Sequence, residues 1–123
     1  MLTLAALLLF CHFAADYTHL STPWMLSAKR FGTPVTPIIA HAGVHALLMF
    51  IVVAIGYGVY AGALVGVFQF LTHALIDTAK GRINATFPAV QTPANPAHWY
   101  VFGIDQTLHV LVILFSVHLV YTV

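Results

Sequence analysis

A long stretch without charge occupies the middle of the chain. Residues 31–76 include no Asp, Glu, Lys or Arg. As one helix this stretch would be roughly 70 Å long, whereas the hydrocarbon core of a bilayer is roughly 30 Å thick. The stretch must therefore fold back on itself. The glycine-rich segment 56–62 predicts where it does so, because glycine adopts the dihedral angles of a tight turn.

Charged residues are scarce throughout the chain. Of its 123 residues, 61% are hydrophobic and 6% are charged, whereas a soluble domain carries about 25% charged residues. So few charges cannot cover a water-facing surface, which predicts an integral membrane protein and excludes a soluble domain. The net charge of +1 supplies no field that would attract nucleic acid. The single cysteine, Cys11, excludes an internal disulfide.

The apolar stretches predict an all-α fold. Backbone polar groups cannot remain unpaired in lipid, so these stretches are expected to be helices. We predict a single transmembrane domain, residues 1–123, built as an antiparallel up-down four-helix bundle with helices at about 2–20, 37–60, 61–80 and 99–123. A cleaved signal peptide is a weaker interpretation of the first helix, because that helix lacks a positively charged start and contains His12 and Asp16.

The basic residues predict the orientation of this bundle. All of them lie in or beside two segments rich in proline and glycine, 21–36 and 81–98, which we predict to be loops. Because the helices alternate in direction, both loops lie on one side of the membrane. The positive-inside rule assigns that side to the cytoplasm and both termini to the outside. The basic residues are Lys29, Arg30, Lys80 and Arg82.

Each predicted helix carries one pair of potential metal ligands. The two members of a pair are four residues apart, so they lie on one helical face. The pairs come late in the first and third helices and early in the second and fourth, which brings all four to the same end of an antiparallel bundle. The pairs are His12 and Asp16, His41 and His45, His73 and Asp77, and Asp105 and His109.

These eight side chains predict a dinuclear metal centre. Acidic residues within a membrane cost roughly 2.5–3.5 kcal/mol each on insertion scales and are usually functional. One tetrahedral ion uses about four ligands, whereas four-helix bundles can hold two ions with eight. Imidazole and carboxylate suit two divalent ions, with zinc as the first choice and iron or manganese as alternatives. The competing interpretation is a polar plug in which the Asp and His side chains hydrogen-bond one another.

The remaining polar residues carry weaker signals. Whether His19 and His98 orient metal ligands is left open. His118 is expected to pack in the opposite half of the bundle. The candidates for binding an anionic substrate are Lys80, Arg82 and Gln106. For the two cations, the alternative role is contact with lipid headgroups and control of the topology.

A short internal repeat suggests two helical hairpins related by a pseudo-twofold axis. In each half, a phenylalanine precedes a His and an Asp four residues apart, and a helix with a second ligand pair follows. The two motifs are Phe10-x-His12-x-x-x-Asp16 and Phe70-x-x-His73-x-x-x-Asp77.

The four ligand motifs resemble those of DUF3307, a family of small bacterial and phage membrane proteins of unknown function. The most specific are His73-x-x-x-Asp77-x-x-Lys80 and Asp105-Gln106-x-x-His109. The layout is also similar to that of predicted membrane-bound metal-dependent hydrolases. The resemblance implies the inner membrane of a bacterium, and it implies no established activity.

The chemistry favours a metal-dependent hydrolase that acts on a phosphate-containing amphiphile or a nucleotide at the cytoplasmic interface. The catalytic candidates are Asp77, Asp105 and Lys80. The first alternative is a divalent metal transporter or sensor, and the second is a diiron membrane oxidase. A haem protein and a purely structural protein are weaker alternatives. The expected partners are the lipid bilayer and an anionic small-molecule or lipid substrate, and a homo-oligomer is left open.

Overall fold

The computed structural model describes residues 1–123 and contains helices without any β-strand, which confirms the all-α prediction. Five α-helices follow one another, and a short 3-10 turn at Pro88–Gln91 precedes the last of them. The helices are α1 Leu2–Tyr17, α2 Pro23–Phe31, α3 Val35–Tyr57, α4 Val59–Thr86 and α5 Pro96–Val120.

Three of the helices are long and apolar enough to cross a membrane. They are α3, α4 and α5, with 23, 28 and 25 residues. Their large apolar side chains point outward, as at Ile55, which is 83% exposed. The first helix, α1, ends at Tyr17 after 16 residues, which corresponds to roughly 24 Å and is shorter than the predicted span.

The predicted chain reversal is present at Gly58. This residue has a φ of 95°, a left-handed conformation that glycine adopts without a steric penalty. Beyond the turn, α4 packs closely against α3, because a Cβ added at Gly62 would lie 2.8 Å from the Cβ of Ala54. One turn further along, Gly66 faces Ala46 and Phe50. Residues of increasing number on α4 therefore pack against residues of decreasing number on α3, so the two helices form a hairpin.

The segment predicted as the first loop contains the helix α2. Thr22 caps its start by accepting a hydrogen bond from the Met25 amide, and Pro23 occupies the first turn. Gly32, with a φ of 68°, ends the helix. Proline and glycine here mark the two ends of a helix, as they commonly do. The prediction that they are loop residues was therefore wrong for this segment. The helix α4 likewise continues past Gly81, which was assigned to the second loop, as far as Thr86.

Two glycines bring α2 into contact with α4. A Cβ added at Gly81 would lie 2.1 Å from the backbone nitrogen of Gly32 and 2.7 Å from the carbonyl oxygen of Lys29. Only glycine allows so close an approach, since no real Cβ atom lies that near to backbone. This contact fixes the position of Lys29 relative to α4.

Gly81→Ala should therefore destabilise the protein. The added methyl group would push α2 away from α4, and such overpacking typically costs about 1–3 kcal/mol. Gly43→Ala is the matched control, because a Cβ at that helical position meets nothing within 4 Å, and alanine is favoured over glycine in a helix by about 0.8–1.0 kcal/mol. Thermal unfolding of both variants in detergent checks the prediction. Equal stability of the two would contradict the tight contact between α2 and α4.

An apolar core fills the end of the molecule that contains the Gly58 turn. The ten buried residues of this core come from α1, α3, α4 and α5, and they include the single cysteine. The core consists of Leu4, Leu8, Cys11, Met49, Val53, Ala61, Val65, Ile113, Val117 and Val120. Buried polar side chains are thereby concentrated at the opposite end, next to α2.

Candidate metal centre

All eight residues predicted as metal ligands have buried side chains at the end of the molecule next to α2. Seven are buried as whole residues, and the side chain of Asp16 is 6% exposed. The seven are His12, His41, His45, His73, Asp77, Asp105 and His109. The four-residue spacing and the helix directions therefore bring these side chains into one region.

His73 lies at the centre of the five histidines. Its ring centroid is 3.7 Å from that of His45 and 4.3 Å from that of His109. The corresponding distances to His41 and His12 are 5.2 and 5.8 Å. The other four imidazole rings thus surround His73, an arrangement in which several nitrogen atoms face the same small volume.

The ligand atoms form two groups that share His73. One group contains Asp16, His41, His45 and His73, and the other contains His73, Asp77 and His109. Within each group, one ligand atom from every residue lies within 4.8 Å of all the others. Once His73 is assigned to the second group, each group consists of two histidines and one aspartate. Three protein ligands of this kind leave a coordination position open for water or substrate.

The tautomer of His109 is determined by a hydrogen bond within α5. Its Nδ1 lies 2.9 Å from the backbone carbonyl oxygen of Asp105, and because a carbonyl only accepts, Nδ1 must donate. The neutral ring then presents Nε2 as an acceptor, and this atom lies 3.8 Å from Oδ1 of Asp77. Metal-binding histidines are commonly oriented in this way, with the second ring nitrogen bonded to a backbone carbonyl.

Several buried polar atoms in the cluster have no hydrogen-bond partner. They include both carboxylate oxygens of Asp77 and the Nε2 atoms of His73 and His109. Buried polar atoms are almost always hydrogen-bonded, whereas Oδ2 of Asp77 lies 3.3 Å from Nε2 of His73 and 3.3 Å from Nζ of Lys29 without hydrogen-bond geometry. These atoms are the ones through which aspartate and histidine bind metals, so the donor set fits a divalent ion of the zinc or iron type.

Lys29 enters the cluster from α2, which the sequence analysis did not anticipate. Its Nζ lies 2.8 Å from Oδ1 of Asp16 and 3.0 Å from Nε2 of His41. It is also 3.3 Å from Oδ2 of Asp77, at ion-pair distance although outside hydrogen-bond geometry. A single ammonium group thus lies between the two carboxylates that belong to the two ligand groups.

The charge of Lys29 is maintained by these neighbours. Burial alone would lower its pKa, but the carboxylates of Asp77 and Asp16 outweigh that effect and hold the pKa above its usual value. The lysine is therefore protonated at neutral pH and competes with a metal ion for Asp16. Its signal in the sequence was a Thr-Pro start and a Gly end around nine residues, which are the marks of a short helix.

His12 and Asp105 lie beside the two ligand groups but belong to neither. Nε2 of His12 is 3.5 Å from Oδ2 of Asp16. Oδ2 of Asp105 accepts a hydrogen bond from Gln106 at 3.0 Å and lies 3.5 Å from Nζ of Lys80. His12 thus contacts the ligand residue Asp16, and Asp105 contacts the cation Lys80.

Gln69 is a second polar residue that the sequence analysis did not single out. It lies one turn before His73 on α4 and is fully buried, with its Nε2 3.5 Å from Nδ1 of His73 and its Oε1 unpartnered. Rotation of the amide by half a turn would let Oε1 accept a hydrogen bond from Nδ1 and leave Nε2 of His73 free to bind metal. The sequence signal was a glutamine four residues before a ligand in an apolar helix.

A cavity of about 300 Å³ lies next to the cluster. Its polar lining includes Asp16, Lys29, Arg30, Lys80, Asn84, Gln91, His98, Asp105 and Gln106. Arg30 has no carboxylate partner, and its guanidinium lies 3.4 Å from Oε1 of Gln91. Three cations thus face this cavity, two of them paired with carboxylates and one free, so it suits an anion.

The predicted substrate-binding residues differ in their relation to this cavity. Lys80 and Gln106 line it. Arg82 does not, since it lies exposed on α4 with its Cγ beside Gly32. Arg30, from α2, lines the cavity instead.

The other three histidines occupy different environments. His98 lines the cavity, and its Nδ1 donates to the carbonyl oxygen of Val90 at 2.8 Å. His19 is exposed just beyond α1. His118 is also exposed, on the outer face of α5, with its ring centroid 6.1 Å from that of Phe115.

The chain matches the DUF3307 family, which is described as protein of unknown function, over residues 4–123, almost the whole chain. No curated protein and no solved structure matches it.

Proposed function

The chain belongs to the DUF3307 family, whose description assigns no function, and we propose that it is a membrane-embedded, metal-dependent hydrolase. The two ligand groups would hold two divalent ions, with zinc as the first choice. The substrate would be a phosphate-containing amphiphile or a nucleotide, bound at the cytoplasmic interface.

One observation carries this proposal: two sets of two histidines and one aspartate, with unpartnered ligand atoms, lie beside a cavity lined by cations. A set of three protein ligands is typical of catalytic metal sites, whereas structural sites are closed by four. The cations Arg30 and Lys80 face the same cavity, where an anion close to bound metals would lie.

The proposed arrangement in the membrane follows the positions of the basic residues. In it α1, α3, α4 and α5 form an antiparallel bundle in a bacterial inner membrane, with α2 at the cytoplasmic surface and both termini outside. With His73 assigned to the second group, the first group comes from α1 and α3 and the second from α4 and α5.

The residues of the site would divide the work of hydrolysis between them. Bound ions would activate a water molecule and neutralise the charge on a phosphoryl oxygen. Arg30 and Lys80 would hold the anionic group, and Asp105 would orient Lys80 through their 3.5 Å ion pair. His12 would orient the carboxylate of Asp16.

The apolar core favours a hydrolase over a metal transporter. A transporter needs a polar route from the cluster to the other side of the membrane. In this chain, ten buried apolar side chains fill the half of the molecule beyond the cluster. The open side of the cluster is the one that carries the cationic cavity.

The test measures metal content and turnover on the same preparation. We expect two ions per chain in the purified protein and hydrolysis of at least one member of a panel of phosphatidic acid, undecaprenyl phosphate, phosphodiesters and nucleotides, measured as released phosphate for the monoesters and as released alcohol for the diesters. Chelation should abolish turnover, and added Zn²⁺, Mn²⁺ or Fe²⁺ should restore it. His118→Ala is the control, because this exposed residue lies far from the cluster on α5, and its metal content and turnover should be unchanged.

Two results would contradict the proposal. A reliable value of one ion per chain would remove a mechanism that needs two. Zinc flux into proteoliposomes, together with no turnover of any substrate by the metal-loaded protein, would replace the hydrolase with the transporter.

A further inference from the structure

An apolar groove runs down the outer surface between α4 and α5. It has a volume of about 310 Å³ and is lined mostly by aliphatic side chains. The lining residues are Leu75, Ile76, Ala79, Lys80, Ile83, Val101, Ile104, Asp105 and Leu108. On α4 the groove extends from Leu75 to Ile83, a rise of roughly 12 Å, which matches the length of a substantial part of an acyl chain.

The groove borders the cationic cavity beside the metal cluster. Lys80, Val101 and Asp105 line both. The ion pair between Lys80 and Asp105, which is 3.5 Å long, therefore lies where the apolar groove meets the cationic cavity. An amphiphile has the same division, with an apolar chain joined to a charged head.

The charges at the junction specify the sign of that head. Lys29, Arg30 and Lys80 face the cationic cavity, and Arg30 has no carboxylate partner. The acids Asp16 and Asp105 are each paired with one of the lysines. The free guanidinium and the neighbouring ammonium groups favour a phosphate, which arginine binds through two parallel hydrogen bonds.

We propose that the groove between α4 and α5 binds the acyl chain of a lipid phosphate, whose phosphate group lies in the cationic cavity lined by Arg30 and Lys80. The lipid enters the site sideways from the membrane. This inference rests on the proposed function and narrows its substrate to a membrane lipid, excluding a soluble nucleotide. Entry of the lipid from the bilayer also explains why aliphatic residues of two adjacent helices border the cationic cavity on one side.

The test uses a phosphonate analogue of phosphatidic acid with a photoreactive diazirine in one acyl chain. The metal-loaded protein is placed in nanodiscs of phosphatidylcholine and irradiated, and the labelled residues are mapped by mass spectrometry. We expect labelling to concentrate on the groove, at Leu75, Ile104 and Leu108. Unlabelled phosphatidic acid should compete with the probe, whereas glycerol 3-phosphate, which has the same head and no chains, should not.

Two tryptophan variants on α4 provide a matched comparison. Leu75→Trp places a bulky ring in the groove, whereas Leu71→Trp makes the same change one turn away, outside the groove. The two leucines are similarly exposed, at 70% and 62%. Loss of contact with about two methylenes corresponds to roughly a tenfold weaker binding of the probe in Leu75→Trp, and Leu71→Trp should bind it like the unaltered protein.

Three outcomes would overturn the inference: labelling spread evenly around the helices, equal effects of the two tryptophan variants, or competition by glycerol 3-phosphate as strong as that of the lipid. Because the probe is not hydrolysed, groove labelling without turnover would reject the hydrolase and keep the lipid site. Turnover of a lipid phosphate that Leu75→Trp leaves unchanged would reject the lipid site in the groove and keep the hydrolase.

Discussion

Lys29→Met should destabilise the metal-free protein by about 3–5 kcal/mol, the usual cost of removing one partner from a buried ion pair. The lysine ammonium is the cation between Asp16 and Asp77, with contacts of 2.8 and 3.3 Å. Methionine keeps the length of the apolar stem up to Cε, removes the ammonium group and leaves both carboxylates without this cation. Thermal unfolding in detergent, with a chelator present, measures this loss.

Zinc should reverse the loss in Lys29→Met and stabilise the unaltered protein less. Without the competing ammonium, an ion can bind Asp16 and His41 directly, and free zinc a thousandfold above the Kd adds about 4 kcal/mol. Arg30→Met is the matched control, because the neighbouring arginine is exposed and has no carboxylate partner. Its stability should change by no more than about 0.5 kcal/mol. If Lys29→Met and Arg30→Met were equally stable without metal, Lys29 would have no role in neutralising the cluster.

Asp77→Asn should lose bound metal and all turnover. A neutral amide does not offset the charge of a divalent ion, and Asp77 has the only carboxylate in its ligand group. The loss of metal affinity should exceed the roughly 10- to 100-fold change seen when a residue that merely orients a ligand is altered. Elemental analysis and the turnover assay of the Proposed function section measure the two effects.

Asp105→Asn makes the same chemical change outside the two ligand groups. Its carboxylate contacts Lys80 and Gln106, so metal content should be retained. Retention of both ions in Asp77→Asn, or loss of metal in Asp105→Asn, would contradict the division of ligands described here.

The convergence of the ligand pairs was predictable from the sequence. A spacing of four places two side chains on one helical face, and alternation of helix direction brings late and early pairs to the same end. The division into two groups was not predictable, because it depends on the rotation of each helix and on side-chain rotamers. These put His12 and Asp105 beside the groups and His73 between them.

The helix α2 has a signal in the sequence that was misinterpreted. Its proline and glycine were interpreted as loop residues, although Thr22 and Pro23 begin a helix and Gly32 ends it. That interpretation hid Lys29 and Arg30 from the site. It also ended the third predicted helix before Arg82, whereas the continuation of α4 carries this arginine outside the cavity.

The central claim is that the cluster is a metal centre built from imidazole and carboxylate. X-ray absorption spectroscopy at the zinc edge, on zinc-loaded protein, tests it most directly. We predict nitrogen and oxygen ligands at about 2.0–2.2 Å with the outer scattering of imidazole rings, and no sulfur at about 2.3 Å. Bound zinc should fall from two ions to one per chain in His73→Ala and stay at two in His118→Ala, because His73 belongs to a ligand group and His118 does not. Zinc that does not bind in stoichiometric amount, or a zinc content unchanged by His73→Ala, would contradict the account.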